Sequence, residues 1–193
     1  MPPRPFPFAL RVGTDICSIA RVQKLMTAPS RHFPQRKGWH LHRFLARLLT
    51  WPERQYFWER YKDTDNVLSE LHAVAPFLAG RWAAKEACRK ACEHLGSSNG
   101  LHSIIILPVA SNRGFTIETR RPQGLILRER LPDQPTELRE TGEAQDSNQG
   151  VLFDIDAIDG QLCEVSISHD THWATAVAIV PTIEEWKEQH SEG

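Results

Sequence analysis

The chain contains no apolar run of 18 or more residues, which excludes a helix that crosses a bilayer. It also lacks a charge excess. With 23 basic and 24 acidic residues, the formal net charge is -1 and the pI is near 6.8. No global field draws it to nucleic acid or an anionic membrane, so any phosphate recognition must be local. Cysteine is scarce: Cys17, Cys88, Cys92 and Cys163 contain no CxxC pair. Cys88 and Cys92, at i and i+4, suit a buried helix face better than a disulfide framework, and a reducing compartment follows. No internal repeat is present. At 193 residues the chain can bury a real core, and it reads as a single domain over 1–193. Within it, "RLPDQPTELRETGEAQDSNQG" at about 130–150 has no apolar period and is predicted to be a mobile surface insertion. The first residues, "MPPRPFPFALR", carry two Arg and no acid but lack a hydrophobic signal core. They are compatible with a short organellar presequence.

From Phe6 to Asp15 apolar residues alternate, with Phe6, Phe8, Leu10 and Val12 on one side and Ala9, Arg11, Gly13 and Asp15 on the other. That is strand periodicity, ending at "GTD" with Asp15 at the exit. Ser18 is a plausible N-cap for "IARVQKLM", whose inner stripe is Ile19, Val22 and Met26 and whose outer face carries Arg21 and Lys24. Residues 28–42 read as loop and "RFLARLL" as a short helix. Thr50, Trp51, Pro52 and Glu53 spell a capping box with proline in the first turn, opening a helix to about Tyr61. After a polar link at 62–75, Pro76 is predicted to open the main helix, roughly 77–95, stopped by Gly96. At 100° per residue Phe77, Gly80, Ala84, Ala87, Cys88, Ala91 and Leu95 gather on its inner side, and Trp82, Glu86, Arg89, Lys90 and Glu93 on the other. "SIIILPV" is a strand by its β-branched run, and "GFTIETR" and "GLILRE" are weaker strands. "CEVSISH" and "WATAVAIV" are two strands joined by "HDTH", before a helical polar tail from about Thr182.

Two carboxylates stand in ordered settings, Asp15 at a strand end and Glu86 in the close-packed helix, where Lys85, Arg89 and Lys90 are basic neighbours able to hold phosphates. Mg²⁺ keeps several waters and needs only one or two protein carboxylates besides substrate phosphate oxygens, so this pair suffices. The competing account is an exposed helix glutamate paired with Lys90 at i+4. His40 with His42, and His169 with His172, have no partner placed to complete a tetrahedral zinc set. Trp82 and Trp173 are read as packing residues.

"VGTDICSIARV", "RFLARLLTWPERQYF", "FLAGRWAAKEACRKA" and "VSISHDTHWATAVAIV" resemble, in order, the four blocks of the holo-acyl-carrier-protein synthase type of 4′-phosphopantetheinyl transferase. The resemblance covers about residues 8–100 and 163–180. It implies an α+β fold, a small antiparallel sheet packed on a long helix, of the single-module type. It implies a Mg²⁺-dependent reaction that moves the phosphopantetheine arm of coenzyme A onto a serine of an acyl carrier protein in fatty acid biosynthesis, leaving adenosine 3′,5′-bisphosphate. Carried over by position, Asp15 and Glu86 would be the metal ligands. Lys90, one turn beyond Glu86, would offset charge on the pyrophosphate. The serine proton would go to Glu86 or to a metal-bound water, and sequence does not separate them.

Arg81 matches a coenzyme-contacting position, with a solvated surface charge as the alternative. Ser168 and His169 would approach the nucleotide part of coenzyme A. Arg21 matches a position that meets the acidic carrier protein, and Lys24 extends that basic row, a solvated face being the plainer account. Relatives of this type form trimers with active sites between subunits. A homotrimer is therefore expected, with Asp15 and Glu86 from one chain and His169 supplied by the neighbour. The sequence departs from the pattern in its long segment at about 108–162 and in having "RPQG" where a "GKP" turn is usual. Rival accounts are a Mg²⁺-dependent hydrolase of coenzyme A or a related pyrophosphate, and a non-catalytic carrier-binding module. The basic start leans to mitochondria over the cytoplasm.

Overall fold

The structure, a computed structural model, describes residues 9–28, 38–92, 100–108, 121–129, 131 and 158–181. Its elements in chain order are β1 (Leu10–Ser18), α1 (Ile19–Thr27), α2 (Trp39–Leu48), α3 (Trp51–Tyr61), α4 (Thr64–Ser69), α5 (Leu71–Ala91), β2 (Ile104–Pro108), β3 (Pro122–Leu127), β4 (Gly160–His169) and β5 (Trp173–Pro181). The five strands form one antiparallel sheet in the order β1-β5-β4-β3-β2. This is the expected α+β arrangement, with α5 packed across the sheet and the smaller helices around it.

Strand alternation decides what α5 meets. Gly13 and Cys17 of β1, Cys163 and Val165 of β4, and Ala174, Ala176, Ala178 and Val180 of β5 all turn inward. Against them α5 sets Ala79, Ala83, Ala84, Ala87, Cys88 and Ala91, all buried. Small side chains on both surfaces let helix and sheet approach closely, so the layer is held by many dispersion contacts rather than a few large ones. Larger residues fill the flanks: Val22 and Met26 from α1, Leu41 and Leu45 from α2, Phe57 from α3, Leu78 from α5. Each such burial contributes about 1.5–3 kcal/mol.

Several boundaries differ from the sequence reading. α2 begins at Trp39 behind Gly38, whose φ of 76° is a left-handed value suited to glycine. β1 runs past Asp15 to Ser18, which then caps α1 by accepting from the Arg21 amide. Pro76 lies inside α5 instead of opening it. The proline forfeits only the bond to the exposed carbonyl end of His72, and Val74 and Ala75 bury the added turn. The link at 62–75 holds α4, capped by Asp63, and the start of α5. The capping box at Thr50 and Glu53 stands where it was read. The Phe6–Phe8 start, the stop at Gly96, "GFTIETR", the insertion at about 130–150 apart from Leu131, and the tail from Thr182 lie outside the described residues.

The apolar side of β1 faces away from α5. Leu10, Val12 and Ile16 are exposed, and strand alternation puts them on the same sheet face as Ile179, Val177 and Trp173 of β5 and Leu162 of β4. One sheet face therefore carries seven exposed large apolar side chains.

Candidate active site

The first cluster forms where β1 crosses α5. A Cβ on Gly13 would fall on the carbonyl oxygen of Ala87 and 2.9 Å from the Ala91 amide, so only glycine admits the strand this close. From there the chain descends α5 toward its N-terminus: Gly13 lies at Ala87 and Ala91, whereas the Arg21 guanidinium sits 4.8 Å over the Trp82 ring. Asp15 follows Gly13 by two residues on the same strand. Its Oδ1 accepts from Lys90 Nζ at 2.7 Å, and the same ammonium donates to the Thr14 carbonyl at 2.9 Å. Glu86, one turn before Lys90 on the same face, is paired with Arg89 at 3.2 Å. Helix phase thus gathers Trp82, Glu86 and Lys90 into one outward stripe, and β1 brings Asp15 to it. Both carboxylates retain contact with water, and each is held by a partly exposed cation that a stronger ligand can displace.

Lys85 behaves otherwise. The sequence reading counts it among the basic residues facing phosphate; the structure buries it completely. Its Nζ donates to Glu53 Oε2 at 2.6 Å and to the Leu101 carbonyl at 2.9 Å. Glu53 Oε2 also accepts from the Thr50 amide and hydroxyl, and its Oε1 from the Ile106 amide. A residue read as a helix cap therefore joins α3, α5 and β2 through one carboxylate. Burial presses the Lys85 pKa below the ordinary lysine value and the Glu53 charge pulls it back. The fitting protonation state is the ion pair, because each group satisfies the other where water cannot.

A second cluster occupies a different face of α5. Arg81 lies five residues before Glu86, about 140° around the helix. It is 7% exposed and makes no ion pair among the described residues, its guanidinium resting 4.9 Å over the Phe77 ring. Burial lowers its pKa from the ordinary value, with Glu53 opposing. It lines a cleft of about 290 Å³ with Tyr56, Arg60, Phe77 and His169. Arg81 and His169 are thus brought together in one chain. Ser168 is separated from them, since its ladder position opposite Thr175 sets it on the outward sheet face.

Arg21 and Lys24 are exposed on the outer side of α1, and Trp82 packs between Arg21 and Phe44. The four cysteines are buried and free. Cys88 Sγ lies 3.6 Å from Cys163 Sγ, and burial raises the Cys17 pKa to about 11 and the Cys92 pKa to about 12. These are packing thiols and poor nucleophiles. Among the described residues no helix is long and apolar enough to cross a membrane.

Comparison with known proteins finds relatives of this chain. The chain is 28% identical over 183 residues to "4′-phosphopantetheinyl transferase B, mitochondrial" of Aspergillus fumigatus, covering 91% of this chain and 95% of that one. A Bacillus anthracis holo-(acyl-carrier-protein) synthase in complex with CoA (3′,5′-ADP) aligns over 90% of this chain and 96% of its own, at 18% identity and TM-score 0.41. The holo-ACP-synthase of Plasmodium yoelii aligns over 88% and 92%, at 18% identity and TM-score 0.43. The family model for the 4′-phosphopantetheinyl transferase superfamily matches residues 11–130, a span that holds β1 with Asp15, the Glu53–Lys85 joint and all of α5, and on that match the chain belongs to this superfamily.

Proposed function

We propose that this chain moves the 4′-phosphopantetheine arm of coenzyme A onto a serine of an apo acyl carrier protein of fatty acid biosynthesis, releasing adenosine 3′,5′-bisphosphate. The observation that carries this is the stripe on α5 that sets Glu86 one turn before Lys90, the lysine that binds Asp15 of β1. The step is attack by a hydroxyl on a phosphorus that already bears negative oxygens, so charge neutralisation and alignment must supply most of the acceleration.

Asp15 and Glu86 suit Mg²⁺: they are hard oxygen donors from a strand and a helix, each now neutralised by an exchangeable cation. When bound there the ion would supply charge neutralisation and orientation of the pyrophosphate oxygens. Lys90, released from Asp15, donates to the departing bisphosphate. Glu86 accepts the serine proton, directly or through a water. Arg81 and His169 hold the nucleotide part, since a buried guanidinium without a carboxylate partner among the described residues calls for an anion in its cleft. Arg21 and Lys24, at the Trp82 end of the stripe, receive the acidic carrier and speed its encounter.

Because Arg81 and Glu86 sit on widely separated faces of one helix, a single copy offers the nucleotide cleft and the carboxylates in different places. A site completed between copies, with His169 and Arg81 supplied by the neighbour, resolves this and supports a homotrimer. The seven exposed apolar residues on the outer sheet face supply a surface that such an assembly would cover. The described elements share one main core, which supports a single domain. The Aspergillus relative is a mitochondrial phosphopantetheinyl transferase by name, which supports a mitochondrial setting.

The test is mass spectrometry of apo carrier proteins after incubation with the protein, coenzyme A and Mg²⁺. The carrier should gain the phosphopantetheine mass with wild type, and Glu86→Gln should slow the gain by about 10²–10³-fold. Coenzyme consumption without carrier modification would indicate the hydrolase instead. Normal transfer by Glu86→Gln would remove Glu86 from the chemistry.

A further inference from the structure

We propose that Cys88 of α5 and Cys163 of β4 are a modification site: a hydroperoxide converts them to a reversible disulfide that staples helix to sheet and slows transfer. Their Sγ atoms lie 3.6 Å apart, in direct contact across the layer. Both are buried, Cys88 completely and Cys163 to 3% exposure. Gly124 of β3, opposite Cys163 in the ladder, leaves that contact open, because a Cβ there would collide with Cys163 Sγ and stand 3.4 Å from Cys88 Sγ. Cys17 instead turns its Sγ toward the Ser18 carbonyl, 3.9 Å away. Ala84, Ala87 and Ala91 of α5 and Ala176 and Ala178 of β5 line the same layer and offer no side-chain nucleophile, so an oxidised sulfur of the pair meets its partner thiol.

One thiolate attacks a peroxide oxygen; the O–O bond breaks, a sulfenic acid forms, and water or an alcohol departs. The second thiol then attacks that sulfur, the S–S bond forms, and the hydroxyl leaves as water with the thiol proton. Two electrons pass from the sulfurs to the peroxide. A hydrogen bond with Cys163 and burial raise the Cys88 pKa, so thiolate is scarce and the first step is slow. The second is fast by comparison, since the partner is already in contact. In a reducing compartment the resting form is the dithiol, to which a thiol reductant returns the pair.

A disulfide holds its sulfurs about 2.0 Å apart, so the contact must shorten by about 1.5 Å. α5 cannot approach the sheet as a rigid body, because Gly13 of β1 already meets the Ala87 backbone beside Cys88. The gap closes instead by tilting α5 on that contact toward β4. Glu86 and Lys90 flank Cys88 on α5, and Asp15 follows Gly13 on β1, so the tilt shifts the two carboxylates relative to one another. A displacement of about 1 Å costs up to about 10²-fold in rate. This consequence rests on the transferase reading above; the disulfide itself does not.

Wild type, Cys88→Ala, Cys163→Ala and Cys17→Ala are to be treated with hydrogen peroxide, alkylated under denaturing conditions and weighed intact and as unreduced peptides. Carrier modification is timed before treatment, after it, and after reduction with dithiothreitol. Wild type and Cys17→Ala should lose the mass of two hydrogens, with Cys88 and Cys163 in one linked peptide pair, and transfer should fall at least about tenfold and recover on reduction. Cys88→Ala and Cys163→Ala should form no such link and keep their own untreated rates, which separates the link from oxidation elsewhere. Wild type that keeps both thiols, or links other cysteines, would overturn the modification site even if neither of these variants folds. A linked protein with an undiminished rate would overturn the control of transfer. Absence of carrier modification by untreated wild type would instead overturn the transferase reading, and the peptide masses would still decide on the disulfide.

Discussion

Two lysine–carboxylate pairs sit five residues apart on α5 with nearly equal separations, 2.6 Å for Lys85–Glu53 and 2.7 Å for Lys90–Asp15. Lys85 and Glu53 are shut away from water and bonded on several sides, whereas the Lys90 side chain is 55% exposed. Geometry alone would rank the two as equals. Environment gives them opposite uses: the buried pair cannot open without stranding a charge, and the exposed pair can exchange partners at little cost. The first fixes α5 against α3 and β2; the second leaves Asp15 and Lys90 available to a substrate.

The comparison breaks if the two lysines respond alike to truncation. Lys85→Ala should cost about 3–5 kcal/mol by orphaning Glu53, lowering the thermal midpoint by roughly 10 °C or more. Lys90→Ala should leave the midpoint almost unchanged and reduce the rate of carrier modification. Calorimetric melting beside the transfer assay checks both, and a stability loss shared equally would contradict the division.

A smaller effect sharpens the same contrast between buried and open groups. Cys17 and Cys92 ionise near 11 and 12 in the folded chain, but near 9 when unfolded. Below pH 9 both states keep these protons and stability does not depend on them. Between pH 9 and about 11 the unfolded chain releases protons that the folded chain retains, so stability should fall with rising pH, by up to about 1.4 kcal/mol per unit for each thiol. Denaturant midpoints across that range, with a Cys92→Ala control showing a shallower fall, measure it.

Much of this fold could be read directly. The terminal hairpin declared itself by alternation at "CEVSISH" and "WATAVAIV", and α3 by its capping box. Helix phase put Glu86 and Lys90 on one face of α5, and alternation put Asp15 in the strand that leads into α1. Lys85 escaped that reading because a lysine beside a glutamate suggests solvent, and its partner lies 32 residues earlier in the chain. The usable signal was Glu53, a capping carboxylate with acceptor capacity beyond its own helix. The outward turn of the apolar side of β1 was illegible for another reason. Alternation reports which residues share a face, and only the packed Gly13 side reveals which face α5 covers.

If the carboxylate stripe and the nucleotide cleft, set on different faces of α5, are joined only between copies, mixing two variants shows it directly. Glu86→Gln and Arg81→Met each disable one half, the second by replacing a buried cation with an apolar side chain of similar length. Each variant alone should modify carrier protein far more slowly than wild type, and oligomers formed by refolding the two together should recover a substantial part of the rate. A mixture no faster than the variants measured separately would mean that both halves act within one chain, and would contradict a site shared between copies.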